Sequence, residues 1–291
     1  MSNMETHPPV VVGVDGSEDA LRALDWAAAE AARHEWPLRL VHAYQVPIAA
    51  LPAVAVSLPP PTEESRKILD EARSRVERAY PELAVSTVQR EGPAPRVLLD
   101  ESKNARMLVV GREGLSGIAE LVLGSVSLAC AMHARIPVAV IPAAWVSPES
   151  PHGRIVVGVD GSERCEAAVQ YAFETAAERD AELVVVYAWY LPSRWPAGWP
   201  IGAEMPEIEA DLERDLVEYV GKWREKYPQV SVRTVGEFNH PTVALARHGA
   251  EADMVVIGGR GHGTITGALL GSVARAILRH MDRPTVVVHQ P

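Results

Sequence analysis

Short apolar runs alternate with longer stretches of helical period along the whole chain. Val10–Val14 reads as a buried strand, and Glu18–His34 as a helix with Leu21, Leu24, Ala28 and Ala31 on one face. A second strand is expected at Leu38–Ala43, followed by a proline-rich connection over 46–61. A polar helix then spans Thr62–Tyr80, a strand lies near Ala84–Gln89, and a short helix covers Pro95–Lys103. The strand Met107–Val110, a glycine-rich loop, a helix through His133 and a strand at Val138–Ile141 complete the series. The same succession returns with strands near Ile155–Val159, Leu183–Tyr187, Val230–Val235, Met254–Ile257 and Thr285–Val288.

The recurrence is a duplication. VVVGVDGSEDALRALDWAAAEA from Val10 aligns with IVVGVDGSERCEAAVQYAFETA from Ile155 at an offset of 145. The junction falls in Ala143–Arg154, where Pro148, Pro151 and Gly153 interrupt the periodic signal. Two domains are therefore expected, 1–143 and 154–291. Strands alternating with helices imply an α/β fold, with parallel strands covered on both faces. The expected architecture is two tandem copies of a doubly wound, five-stranded parallel sheet in the order 3-2-1-4-5. Such an order opens a ligand crevice between strands one and four.

The loops leaving those two strands carry the most marked motifs. GREGLSGIAELVLGS, Gly111–Ser125, recurs as GGRGHGTITGALLGS, Gly258–Ser272, and both read Gly, two residues, Gly, nine residues, Gly, Ser. A strand, a glycine-rich loop and a helix in that order form a phosphate cradle, because glycine lets backbone amides approach an anion at a helix N-terminus. Ser125 and Ser272 stand where an N-cap is expected, a place from which a hydroxyl can also bond phosphate oxygens. Asp15 and Asp160 follow strand one, and two readings are open for them. Each is either the cap of the next helix or a carboxylate in the crevice that bonds a ribose or holds Mg2+ through water. Ala43 and Ala188, at the end of strand two, leave room for a planar base.

On the VGVDGS strand end and the doubled glycine motif, the chain resembles the universal stress protein family, of the tandem ATP-binding type found in actinobacteria. The resemblance implies a first site lined by Gly13, Asp15, Ala43, Gly111, Gly114, Gly117, Gly124, Ser125 and Val126. It implies a second lined by Gly158, Asp160, Ala188, Gly258, Gly261, Gly263, Gly271, Ser272 and Val273. It also implies ATP with Mg2+ as the ligand, Asp15 and Asp160 as water-mediated metal contacts, a role in regulating the response to stress, and a dimer. Gly263 stands where the first copy has Ser116.

Composition narrows the classes. A net charge of -10 argues against a nucleic-acid or anionic-membrane partner, and no apolar run is long enough to span a bilayer, so a cytoplasmic protein is expected. Cys130 and Cys165 lack metal-ligand spacing and fit a reducing compartment. The lysines, Lys67, Lys103, Lys222 and Lys226, lie outside the glycine motifs, there is no P-loop, and Arg112 and Arg260 are the nearby cations. No catalytic constellation stands out, so a binding protein with slow hydrolysis at most is expected. The alternatives are a slow ATP hydrolase or phosphotransferase, and a scaffold with decayed sites that binds a regulatory protein partner. The strand-two connections, with Trp189, Trp195 and Trp199 in the second copy, read equally as nucleotide lids or as packing patches. The last strands, at a sheet edge, are expected to pair between the halves or between two chains.

Overall fold

A computed structural model of the chain describes residues 7–45, 63–114, 123–147, 151–190, 205–259 and 270–290. The chain divides into two compact units, Met1–Ser147 and Pro148–Pro291.

The first unit runs β1 (Val10–Gly13), α1 (Glu18–Arg33), β2 (Leu38–Tyr44), α2 (Glu63–Ala79), β3 (Val85–Glu91), α3 (Ala94–Glu101), β4 (Met107–Gly111), α4 (Ser125–His133) and β5 (Val138–Ile141). Its strands are parallel and lie in the order β3-β2-β1-β4-β5. The second unit runs β6 (Arg154–Val159), a 3-10 turn (Glu163–Cys165), α5 (Glu166–Arg179), β7 (Glu182–Trp189), α6 (Met205–Lys226), β8 (Val232–Phe238), α7 (Pro241–Gly249), β9 (Met254–Gly258), α8 (Ser272–His280) and β10 (Thr285–Val288). Here the parallel order is β8-β7-β6-β9-β10. Each copy thus has the expected 3-2-1-4-5 arrangement, with the order reversing at its first strand.

The central strands are Val, Leu and Ile throughout because both of their faces are covered. Val10, Val11, Val12, Leu108 and Val109 are wholly buried, as are Ile155, Val156, Val157, Val255 and Val256. Burying each such side chain contributes about 1.5–3 kcal/mol. In the first unit α1 packs on α2 and α3 on α4, one pair on each side of the sheet. The inward face of α1 is Ala20, Ala23, Leu24, Ala27, Ala28 and Ala31, while the expected Leu21 lies only half-buried at its margin. The polar helix α2 needs no more than a stripe, Ser65, Leu69, Ala72 and Val76, at alternating spacings of four and three.

The β2 and β7 strands run one residue past Ala43 and Ala188, to Tyr44 and Trp189, because β3 and β8 continue to pair with them there. Glu35 and Asp180, equivalent residues beyond α1 and α5, adopt the left-handed conformation (φ 55° and 49°) that reverses the chain into the next strand.

Candidate functional site

The carboxyl ends of β1, β2 and β4 are neighbours, so the VDGS turn, Ala43 and the start of the glycine loop meet at one edge of the first sheet. Gly16 has φ 84°, a conformation that only glycine adopts readily, and its equivalent Gly161 has φ 77°. The turn brings the Asp15 side chain back onto the chain. Its Oδ1 accepts from the Ser17 amide at 2.9 Å and from the Ser17 hydroxyl at 2.6 Å. Ser17 Oγ in turn accepts from the Ala20 amide at 3.2 Å, so the N-cap of α1 is Ser17. Asp15 is therefore not the cap but the group that holds it. Behind the turn, the buried His42 donates from Nδ1 to the Val14 carbonyl at 2.7 Å. Its equivalent in the second unit is Tyr187, whose phenol is pushed up by burial and then by Asp160 and Asp215.

The other oxygen of Asp15 faces the glycine loop. A side chain begun on Gly114 would place its Cβ 3.4 Å from Asp15 Oδ2, so carboxylate and loop converge across the switch point of the sheet. The ends of the loop are pinned. Arg112 donates its amide to the Ile141 carbonyl at 2.8 Å, and its own carbonyl accepts from the Gly124 amide at 2.8 Å and the Ser127 hydroxyl at 2.8 Å. A Cβ on Gly124 would meet the Arg112 carbonyl oxygen at 2.9 Å, so this approach requires glycine. In the second unit the Gly271 amide closes the loop on the Gly259 carbonyl at 2.9 Å.

The expected serine caps are displaced by one residue. Gly124 and Gly271 are the N-caps of α4 and α8 and carry no side-chain cap bond; Ser125 and Ser272 are the first helical residues. Extended backbone at the glycine (φ -60°, ψ 149° at Gly124) already starts the helix. The amides of Ser125 and Val126, and of Ser272 and Val273, consequently belong to the first turn, which has no intrahelical acceptors and carries the positive end of the helix dipole.

Not every motif glycine serves the crevice. A Cβ on Gly13 would lie 3.0 Å from Leu98 Cδ1 of α3, and one on Gly158 would lie 2.9 Å from Leu245 Cδ1 of α7. Both strand ends are stripped of side chain so that a helix leucine can close over them. Gly111 similarly admits the backbone of Asp19, which a Cβ would approach to 2.9 Å. Gly258 ends β9 at the matching place. Gly117, Gly261 and Gly263 lie outside the described residues, as do Arg260, Trp195, Trp199 and the body of each strand-two connection.

The sequence singles out some of the contributors, but not Asp19. Asp19, in the first turn of α1, is buried and accepts from the Glu113 amide at 3.1 Å through Oδ2 and from Arg22 at 3.2 Å through Oδ1. Arg112 is buried, with its Nε 3.6 Å from Glu113 Oε1. In the second unit Asp160 Oδ1 receives three donors: the Ser162 amide at 3.0 Å, the Ser162 hydroxyl at 2.6 Å and the Cys165 thiol at 3.0 Å. Ser162 makes no side-chain cap bond, and the chain enters α5 through the 3-10 turn, the Cys165 amide bonding the Ser162 carbonyl. Burial pushes both thiols from 9.0 up to about 12, with Asp160 adding to the effect at Cys165. Buried neutral thiols of this kind are packing groups rather than nucleophiles. Gly259 stands where the first unit has Arg112, and the His289 ring fills the space, 2.1 Å from where a Cβ on Gly259 would lie. Trp189, at the end of β7, packs edge-on against Phe238 with ring centroids 4.8 Å apart.

The Universal stress protein family profile matches residues 7–142 and again 152–289. The chain belongs to the universal stress protein family. Curated relatives of Mycobacterium tuberculosis and Mycolicibacterium smegmatis, both named universal stress proteins, are 34% and 32% identical to it, over 301 and 294 residues. The alignments cover 100% and 99% of this chain and 99% of each relative, so the tandem organisation is common to all three. The solved universal stress protein of Archaeoglobus fulgidus superposes with a TM-score of 0.63 at 18% identity, covering 97% of this chain and 98% of that one. A structure from Pseudomonas aeruginosa described as a putative universal stress protein gives 0.62 at 16% identity, covering 99% and 95%. These two likenesses support the fold.

Among the described residues no helix is long and apolar enough to cross a membrane. Among them, too, no group of three or more His, Cys, Asp or Glu side chains is arranged to hold a metal ion.

Proposed function

We propose that each copy, 1–143 and 154–291, is a functional domain that binds one ATP, and that this universal stress protein acts as a nucleotide-dependent regulator of the stress response. The observation that carries the reading is the convergence of Asp15 Oδ2 on Gly114, beside the amide-rich start of α4. A carboxylate with one oxygen committed to its own turn and the other turned to a glycine loop suits a ligand with a ribose and phosphates. In that arrangement the amides of Ser125, Val126, Ser272 and Val273 take phosphate oxygens, and Ala43 and Ala188 border the base.

Magnesium fits the site as a companion of the phosphates. It dehydrates reluctantly and is commonly held by one or two carboxylates together with substrate phosphates, so a single aspartate per site suffices for a contact through water. Bound there, Mg2+ would neutralise phosphate charge. The protein's own part is to orient the carboxylate, which the Ser17 and Ser162 donors do. Pairing of two chains belongs to the same proposal. It rests on the general tendency of natural proteins to cover or pair the edges of their sheets.

The test is to denature the purified protein, identify released nucleotide, and titrate the emptied chain with ATP and Mg2+ by calorimetry. Two ATP per chain is the expected result, and no binding would overturn the reading. Light scattering in the same buffer tests the dimer, which a monomeric mass would overturn.

A further inference from the structure

The two copies differ in charge at matched sequence positions of the helix entry and the glycine loop. Asp19 and Arg22 of the first unit correspond to Arg164 and Ala167 of the second, at the offset of 145. Arg112 and Glu113 correspond to Gly259 and Arg260, at the glycine-motif offset of 147, while Glu18 is matched by Glu163. Over these five positions the first copy has one net negative charge and the second one net positive charge. The ends of the glycine loop are kept: both loops leave a fourth strand that ends in glycine, and both close by the same amide-to-carbonyl bond.

Asp19 stands at the centre of the difference. It is buried, its Oδ2 holds the Glu113 amide at 3.1 Å, and Gly111 lies against its backbone. One amide at the mouth of the first cradle is thereby committed to a carboxylate, and that carboxylate's charge lies beside the place where phosphates are expected. Its counter-ion Arg22 is shared with Glu18, at 3.0 Å, so the local balance stays acidic. In the second unit Arg164, exposed in the 3-10 turn that packs on β9, can only donate.

We propose that Asp19 is a specificity-determining residue: it sets the first site against highly charged polyphosphates, whereas Arg164 favours them at the second. The proposal rests on the nucleotide-binding reading. Its consequence is a chain with two unequal sites, in which the second fills with triphosphate first and the first discriminates less between ATP and AMP.

The test uses the full chain without Mg2+, at low ionic strength, by calorimetry with ATP and with AMP. In an Asp160→Ala background, which isolates the first site, Asp19→Asn keeps an acceptor for the Glu113 amide and removes the charge. ATP affinity is expected to rise about three- to tenfold, and AMP affinity by less than half as much, with the gain shrinking at higher salt. In an Asp15→Ala background, Arg164→Asp is expected to weaken ATP by a similar factor; its exposed position keeps the test valid even if Asp19→Asn fails to fold. Unchanged ATP affinity in both backgrounds, or equal shifts for ATP and AMP, would overturn the proposal while leaving nucleotide binding intact. Failure of the unaltered chain to bind either nucleotide would overturn both readings.

Discussion

Leu98 closes over Gly13 so tightly that a side chain on the glycine would begin 3.0 Å from its Cδ1, and Leu245 repeats the contact with Gly158 at 2.9 Å. The glycines that end β1 and β6 are thus required first by helix packing. Gly13→Ala is expected to destabilise the first unit by about 1–3 kcal/mol through overpacking. Urea unfolding checks this, and Leu98→Ala in the same chain should recover part of the loss by making room. A loss of nucleotide affinity without any loss of stability would contradict the assignment.

Asp15→Ala and Asp160→Ala each remove the oriented carboxylate from one crevice. Calorimetry is expected to give one ATP per chain for either variant and none for the double variant. Gly114→Ala tests the facing wall. Its Cβ would meet Asp15 Oδ2 at 3.4 Å, an ordinary contact, so the unfolding midpoint is expected to hold while ATP affinity in the first site falls about tenfold or more.

Ser17 and Ser162 look identical in sequence and are not equivalent in the helices they precede. Ser17→Ala deletes the bond to the Ala20 amide and is expected to cost about 1 kcal/mol. Ser162 makes no such bond, so Ser162→Ala loses the link to Asp160 and a long one, 4.0 Å, to the Cys165 sulfur. Paired denaturation curves with a larger loss for Ser162→Ala would count against this.

The thiols give a pH dependence of definite sign. Folding moves Cys130 and Cys165 from 9.0 to about 12, so the unfolded chain gives up these protons first. The stabilisation from keeping them protonated is present below pH 9 and is lost as pH rises from 9 towards 12. Cys165→Ala, which installs the residue of the first copy, is expected to flatten that decline in urea midpoints. At pH 8 both thiols are expected to react with an aromatic disulfide reagent much more slowly in the folded than in the unfolded chain.

Much of the fold could be read from the residues, because the central strands are continuous β-branched runs and the repeat doubles every signal. The expected strand Thr285–Val288 matches to the residue, and the order 3-2-1-4-5 is one of the few doubly wound topologies open to five parallel strands. The expected strand-two ends, Ala43 and Tyr187, fall one and two residues short because Tyr44 and Trp189 are held by cross-strand pairing, which a single strand does not display. Serine is a better cap than glycine, so the sequence points to Ser125 and Ser272 as the caps of α4 and α8. At α4 glycine wins because only it can sit against the Arg112 carbonyl. Asp19 differs from its counterpart Arg164 in DGSED against DGSER, but the sequence alone gives that difference no meaning. Its meaning depends on a bond 94 residues away, to the Glu113 amide.

The exchange of Arg112 for Gly259 and His289 means that the two copies are no longer interchangeable piece by piece. Any side chain restored at 259 would have to evict the imidazole, and a ring supplied from the end of the fifth strand has room only where the loop is bare. Positions 259 and 289 are therefore sterically coupled. An attempt to rebuild a symmetric ancestor of this chain, or to graft one half's loop onto the other, has to carry positions 259 and 289 across together.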